Sequence, residues 1–479
     1  MLTEAGLPAD LEIERVVNAK VGIVHLGLGA FYRAHGAIFI EEAVARSGGN
    51  WAITGVSLQS PTTRDRMAPR NFEYTAVELG PDGETRRDVR IIRDVLVAPE
   101  SPEAVLAAMA SPDVKIVTLT VTEKGYCHEP STGRLNQSHP DIQKDLENAL
   151  PVSAPGYLVR ALQRRFAAGL APFTVMTCDN LPHNGKVVRG VVLDLARLID
   201  PALADWIERE GRFPSTMVDR IVPATKPEDI ERLSAITGRN EDGLVVHEPF
   251  RQWVVEDDFV GGERPDLGAV GVELVSDVAV YEHMKLRMLN GAHSSLAYLG
   301  YLSGHKTIAD TMADEALAGF VTRLWSEEII PALTPPPGVD LAGYAAALKA
   351  RFANTGIRHL TWQIAMDGSQ KLPQRILSTL GENLKAGRNS PRLMLAVAAW
   401  MRYVGGVDET GAPIEVKDPL AARLRELFDS AATAEGKAAA LLGVREIFDP
   451  ALASQLQAPV AEALGLLLTQ GARKSVQSL

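Results

Sequence analysis

The chain has 479 residues, 46% of them apolar, a mean hydropathy near zero and a formal net charge of −11. At roughly 100–200 residues per domain, this length holds two or three domains, and the composition is that of an ordinary soluble globular protein. The acidic balance argues against a nucleic-acid surface, which needs a basic field, but not against a locally basic site for a small anion.

Residues 1–16 are acidic and lack the apolar core of a signal peptide. Val21–Leu26 reads as a buried strand that enters a glycine turn, followed by a helical stretch over 34–47. A second strand is expected over 52–58. Residues 74–78 and 87–97 follow as further strands, with a hairpin insertion around Pro81, Asp82 and Gly83. The runs 114–121 and 173–178 are apolar and β-branched, the pattern of a parallel sheet covered on both faces. Strands separated by helices predict a doubly wound, Rossmann-type α/β domain. From about Tyr281 the pattern is almost wholly helical, interrupted by loops at 334–338 and 405–413. The expected division is a dinucleotide-binding domain over 1–280 and a mostly α-helical substrate-binding and catalytic domain over 281–479.

Cys127 and Cys178 are the two cysteines; they make no disulfide framework and point to a reducing compartment. No CxxC or HExxH spacing occurs, so no metal is expected. No uninterrupted apolar run approaches the roughly 18 residues of a membrane helix. The expectation is a cytoplasmic monomer or small homo-oligomer without nucleic-acid or membrane partners.

The first strand runs into Gly27-Leu28-Gly29 and then into a helix. Gly27 permits the tight turn, and Gly29 lets the backbone approach a pyrophosphate at the helix N-terminus. Tyr32 stands where the usual fingerprint has its third glycine, and a plain strand-to-helix turn has the same pattern. The acid expected after the second strand, to hold the adenosine ribose, is missing: Asp65 comes late, between Arg64 and Arg66. Either arginine suits a 2′-phosphate, so NAD is expected and NADP stays open.

On a regular α-helix at about 100° per residue, Glu282, Lys285, Asn290 and His293 fall within one arc of roughly 140°. Leu286, Leu289 and Leu296 share that arc. Polar groups set among leucines suit a cleft rather than a solvated face. A desolvated lysine can serve near neutrality as the base that takes a hydroxyl proton while hydride leaves the carbon. Asparagine amides can donate to the developing alkoxide without titrating, and histidine can hold substrate oxygens. Taken singly, each reads better as a satisfied core residue or a snorkelling lysine; taken together with the nucleotide turn, they read as a site. A second cluster, Cys178-Asp179-Asn180, sits at a strand C-terminus, where doubly wound folds place ligands. Asn180 is either a second alkoxide donor or part of an Asx turn.

At these residues the chain resembles the polyol-specific long-chain dehydrogenases, the mannitol dehydrogenase family. The resemblance spans nearly the whole chain. It is carried by Lys285, Asn290 and His293, by the GxGxFxRAH turn over 27–35, and by the stretches 120–127, 178–180, 217–221 and 248–253. It implies a Rossmann-type domain, a helical domain and an active site between them. It further implies cofactor contacts at Gly27, Gly29, Ala30, Phe31, Arg33, Thr120 and Glu123, with Lys285 as general base. Asn180 and Asn290 are the implied oxyanion hole, His293 positions the substrate and Glu282 relays the proton to solvent. Asp219 and Lys371 match substrate-contacting positions.

Within the family, the stretch 358–375 is similar to the fructuronate reductases (D-mannonate oxidoreductases); mannitol 2-dehydrogenases carry an arginine where Gln363 stands. The implied reaction is D-fructuronate + NADH ⇌ D-mannonate + NAD. A sugar-acid carboxylate calls for arginine, and Arg375, Arg358 and Arg287 are the candidates, each also readable as a tie between helices. The alternatives are a mannitol 2-dehydrogenase or other polyol dehydrogenase (arabinitol, sorbitol, altritol), or a non-catalytic nucleotide-binding sensor.

Overall fold

The computed structural model describes residues 9–129 and 132–479; residues 1–8 of the acidic leader lie outside them. It divides into two compact units, Met1–Ala279 and Val280–Leu479.

Among its described residues the first unit contains eleven strands: β1 (Val21–Leu26), β2 (Ala52–Ser57), β3 (Tyr74–Gly80), β4 (Gly83–Val89), β5 (Ile92–Val97), β6 (Ile116–Leu119), β7 (Thr174–Thr177), β8 (Thr216–Asp219), β9 (Val245–His247), β10 (Gln252–Glu256) and β11 (Glu273–Val275). The central sheet runs β5-β2-β1-β6-β7, all parallel. Alternate side chains supply two cores. Val24, Leu26, Val117 and Leu119 face one, and Ile23, Ile53 and Ile116 face the other. Burial on both faces is why these strands read as continuous apolar runs. The strand order reverses between β1 and β6, and in such sheets ligands bind beyond the strand C-termini at that point.

Two smaller sheets flank the first, with orders β4-β3-β9 and β11-β10-β8. The hairpin expected around Pro81 to Gly83 is β3–β4, closed with Gly83 at φ +137°. The single strand expected over 87–97 is two strands in different sheets. The carboxylate of Glu41 accepts the N–H groups of Arg90 and Ile91 and caps the break between them. The helix expected over 34–47 begins earlier, at Ala30, and kinks at His35 before continuing as Gly36–Ser47.

The second unit is helical. Its core is threaded by the helix Pro391–Val404, which packs on Pro450–Gln470. The latter helix, with 21 residues and an 18-residue window of mean hydropathy 1.3, has the length and composition to cross a membrane. Its Leu456, Val460 and Leu464 are instead packed into the core of this unit.

Candidate active site

β1 ends in a turn held by main-chain bonds from Gly27 and Leu28 to the Val56 carbonyl. Gly27 has φ +87°, and a β-carbon there would stand 2.2 Å from the Thr120 carbonyl oxygen. Glycine is therefore required by the backbone and by the close approach of β6. Thr120 donates its hydroxyl to the Gly27 carbonyl at 2.9 Å, tying the two strand ends at the switch point. Gly29 differs: a β-carbon on it would meet only the Gly27 carbonyl oxygen, at 3.8 Å, so the space beside it is open. An open face of backbone ahead of the helix beginning at Ala30 and Phe31 fits a pyrophosphate. Arg33 folds back over this turn, its Nε donating to the Gly29 carbonyl at 3.3 Å.

Tyr32 fills the place of the missing third glycine. Its ring is fully buried and stacks on His25 at 3.4 Å, against the sheet. Beyond β2, Arg64 is committed to Asp65 and Glu100, while Arg66 is exposed.

At the ends of β6 and β7 one carboxylate organises two loops. Asp179 accepts from the main-chain N–H of Val121 (2.9 Å) and of Thr122 (3.1 Å) and from the Tyr126 hydroxyl (2.6 Å). Burial still pushes its carboxyl above the usual range. This clamp sets Thr120, the exposed Glu123 and the exposed Asn180 at neighbouring strand ends. Asp219, nearly fully buried, closes β8 opposite Gln252.

In the helical unit, Lys285, Asn290 and His293 do not lie on a regular α-helix. An α-helix over Ala279–Met284 widens to a π-helix over Lys285–Gly291 and narrows again over Ala292–Leu302. Backbone bonds from i to i+5 stack residues five apart, as an α-helix stacks residues four apart. The widened turn thus brings Lys285 and Asn290 onto one face, a tighter grouping than the α-helical arc. His293 follows Asn290 by three, again on that face. Lys285 and His293 are buried, while Asn290 and Glu282 are half-buried.

Around His293 lies positive charge. Its ring stacks on Phe352 at 4.9 Å and meets His359 edge to face at 4.6 Å. Its buried Nε2 has no protein partner, nor has Nδ1 of His359. His293 is held far below the ordinary imidazole range, by burial first, then by His359, Arg375, Arg351 and Lys371. Lys371 is itself lowered to about 8, by burial first and then by Arg375. It donates to the Met366 carbonyl at 2.6 Å, and Arg375 donates to the Ser294 hydroxyl at 3.1 Å.

The Rossmann-domain model of the mannitol dehydrogenases matches residues 21–268, and the model of their C-terminal domain matches residues 277–467. The chain belongs to the mannitol dehydrogenase family. This family member is 46% identical over 474 residues to the uncharacterised oxidoreductase YdfI of Escherichia coli K12, with 98% of this chain and 97% of that one aligned. It is 45% identical over 465 residues to the D-mannonate oxidoreductase of the same strain, covering 95% of each. The solved ternary complex of Pseudomonas fluorescens mannitol 2-dehydrogenase with NAD and D-mannitol matches with a TM-score of 0.84 at 37% identity, over 97% of this chain and 95% of that one. The chain is thus an oxidoreductase of this family, with a Rossmann domain of the nicotinamide-dinucleotide type followed by a helical domain, as the motifs led one to expect.

Among the arginines expected to meet a carboxylate, the structure separates one from the others. Arg375 is the one whose charge is felt by both His293 and Lys371, and its guanidinium donates to Ser294, next to His293 in the chain. Arg287 is buried in a two-pronged pair with Glu382, both bonds 2.6 Å, and also donates to the Ala332 carbonyl, so it ties helices together. Arg358 and Gln363 are exposed. Arg351 and His359 carried no signal of their own in the sequence, since they come from a helix and a loop some sixty residues beyond His293. Asp179 lay in the cluster singled out at 178–180, but its role as the clamp on Val121, Thr122 and Tyr126 was not foreseen.

Proposed function

We propose that this mannitol dehydrogenase family member is an NAD(H)-dependent enzyme that interconverts D-fructuronate and D-mannonate. The observation that carries the reading is the half-buried Arg375, which donates to the neutral hydroxyl of Ser294, set with Lys371 in the surroundings of a neutral, buried His293. A plain polyol gives such a pair nothing to neutralise, whereas the carboxylate of a sugar acid accepts two parallel bonds from a guanidinium. The 45% identity to a D-mannonate oxidoreductase supports the same substrate class.

Lys285 takes the proton of the secondary hydroxyl, and Glu282, one turn earlier, passes it to solvent. Asn290 donates to the oxygen as it gains alkoxide character, and Asn180 is the second amide assigned to that task. His293, uncharged, accepts or donates at its open Nε2 to fix a neighbouring hydroxyl. Bound NAD supplies the hydride acceptor. The open backbone at Gly29, with Ala30, Phe31, Arg33 and Thr120, would hold its pyrophosphate end, and Glu123 and Asp219 are assigned to cofactor and substrate contacts respectively. NAD is favoured over NADP because Arg64 is already paired with two carboxylates.

A panel tests this: NAD reduction with D-mannonate, D-altronate, D-mannitol, D-arabinitol and D-sorbitol. D-mannonate should give the highest kcat/KM. Robust oxidation of D-mannitol with no D-mannonate activity would reject the sugar-acid reading and favour the polyol one.

A further inference from the structure

Backbone with i to i+5 bonds makes up well under about 1% of residues in globular proteins. Among the described residues the helical unit carries three such stretches: Lys285–Gly291, Leu324–Ile329 and Pro373–Leu377. They interlock. Trp325, in the second, donates its indole N–H to the carbonyl of Met288 in the first, at 2.7 Å. Gly291, closing the first, lies against the third so tightly that a β-carbon on it would stand 2.5 Å from the Arg375 carbonyl oxygen.

Each contact has a local cause. Widening a helix turns main-chain donors away from the carbonyls they serve in an α-helix. The α-helical donor for the Met288 carbonyl is the N–H of Ala292, which here points to the Leu289 carbonyl. The buried Trp325 indole gives the Met288 carbonyl a donor from outside its own helix. Gly291 is not needed for a left-handed backbone, since its φ is −64°. It is needed for the approach of the segment that bears Arg375.

We propose that Trp325 and Gly291 are positioning residues for the reaction: the indole bond and the missing β-carbon lock the widened turn, and that turn sets Lys285 against Asn290 and places Arg375 beside them. In a regular α-helix, residues five apart are separated by about 140° around the axis. Relaxation of the turn would therefore swing the lysine away from the amide with which it acts. The inference rests on the roles given to Lys285 and Asn290 above.

The test uses the full-length enzyme with the best substrate of the panel. Trp325→Phe keeps the ring and removes the N–H; Gly291→Ala adds one methyl against the Arg375 carbonyl. Each should lower kcat by at least about tenfold, since a displacement of about 1 Å in a catalytic group can cost about a hundredfold. The pH profile of kcat should shift, and KM for NAD should stay unchanged. A lower melting temperature with wild-type kcat and an unshifted pH profile would overturn the inference and leave both residues purely structural. Should Trp325→Phe fail to accumulate folded, Gly291→Ala carries the same test alone. Lys285→Ala separates the two claims. Wild-type turnover in that variant sinks the base assignment, whereas an inactive Lys285→Ala beside an unaffected Trp325→Phe sinks only the positioning role.

Discussion

His293 and His359 meet edge to face at 4.6 Å, and both rings are held uncharged. Burial is the main cause for each, with Lys371 adding to it in both cases. Two neutral imidazoles beside Lys371 and Arg375 leave the positive charge of this region on groups that suit a carboxylate, and leave the imidazoles as hydrogen-bonding groups.

Buried neutral histidines predict acid sensitivity. Burial holds His25, His35 and His247 at about 3 and His359 at about 4. The unfolded chain takes up protons near pH 6.5, and the folded chain refuses them until far lower. Stability therefore falls as pH drops below about 6.5, by up to about 1.4 kcal/mol per pH unit for each such group. The melting temperature should decline steadily from pH 7 to pH 5. A flat profile over that range would show that these rings are protonated in the folded state.

Lys371 gives a second pH dependence of opposite sign. With its ammonium lowered to about 8, it is charged below that value and neutral above it. KM for an anionic substrate should rise as pH passes upward through about 8, while KM for D-mannitol should not follow. Parallel changes for the two substrates would separate Lys371 from carboxylate binding.

Arg375, half-buried, and Arg287, buried, should behave differently. Arg375→Met should raise KM for D-mannonate at least tenfold, because the carboxylate loses its fork, and leave any D-mannitol activity little changed. Arg287→Met breaks the pair with the half-exposed Glu382, which should cost about 1 kcal/mol of stability without altering KM. The reverse pattern would exchange the roles of the two arginines.

The asparagine role predicts a graded series. Asn290→Ala should cut kcat by about a hundredfold, and Asn290→Asp more, since a carboxylate beside a forming alkoxide is repulsive. Equal kcat in the aspartate variant and the wild type would remove Asn290 from the transition state.

Much of this was legible in the chain. Gly27 and Gly29 announce their turn because one needs a positive φ and the other open space, and buried parallel strands such as β1 and β6 read as apolar runs. Tyr32, which looked like a defect in the fingerprint, proves to be a buried ring stacked on His25. The widened turn at Lys285 was not legible: no residue pattern distinguishes i to i+5 bonding from the α-helical ladder, and the Trp325 and Arg375 contacts that accompany it come from distant segments. The break between β4 and β5 was hidden for the same reason, since the capping Glu41 lies some fifty residues away. The pairing of Arg287 with Glu382 likewise spans ninety-five residues.

The measurement closest to the central claim is turnover of Lys285→Ala. A lost general base should lower kcat by about 10²–10⁴-fold, with NADH binding by fluorescence titration nearly unchanged. Turnover at the wild-type rate in a variant that still binds NADH would contradict the assignment of Lys285 as the base.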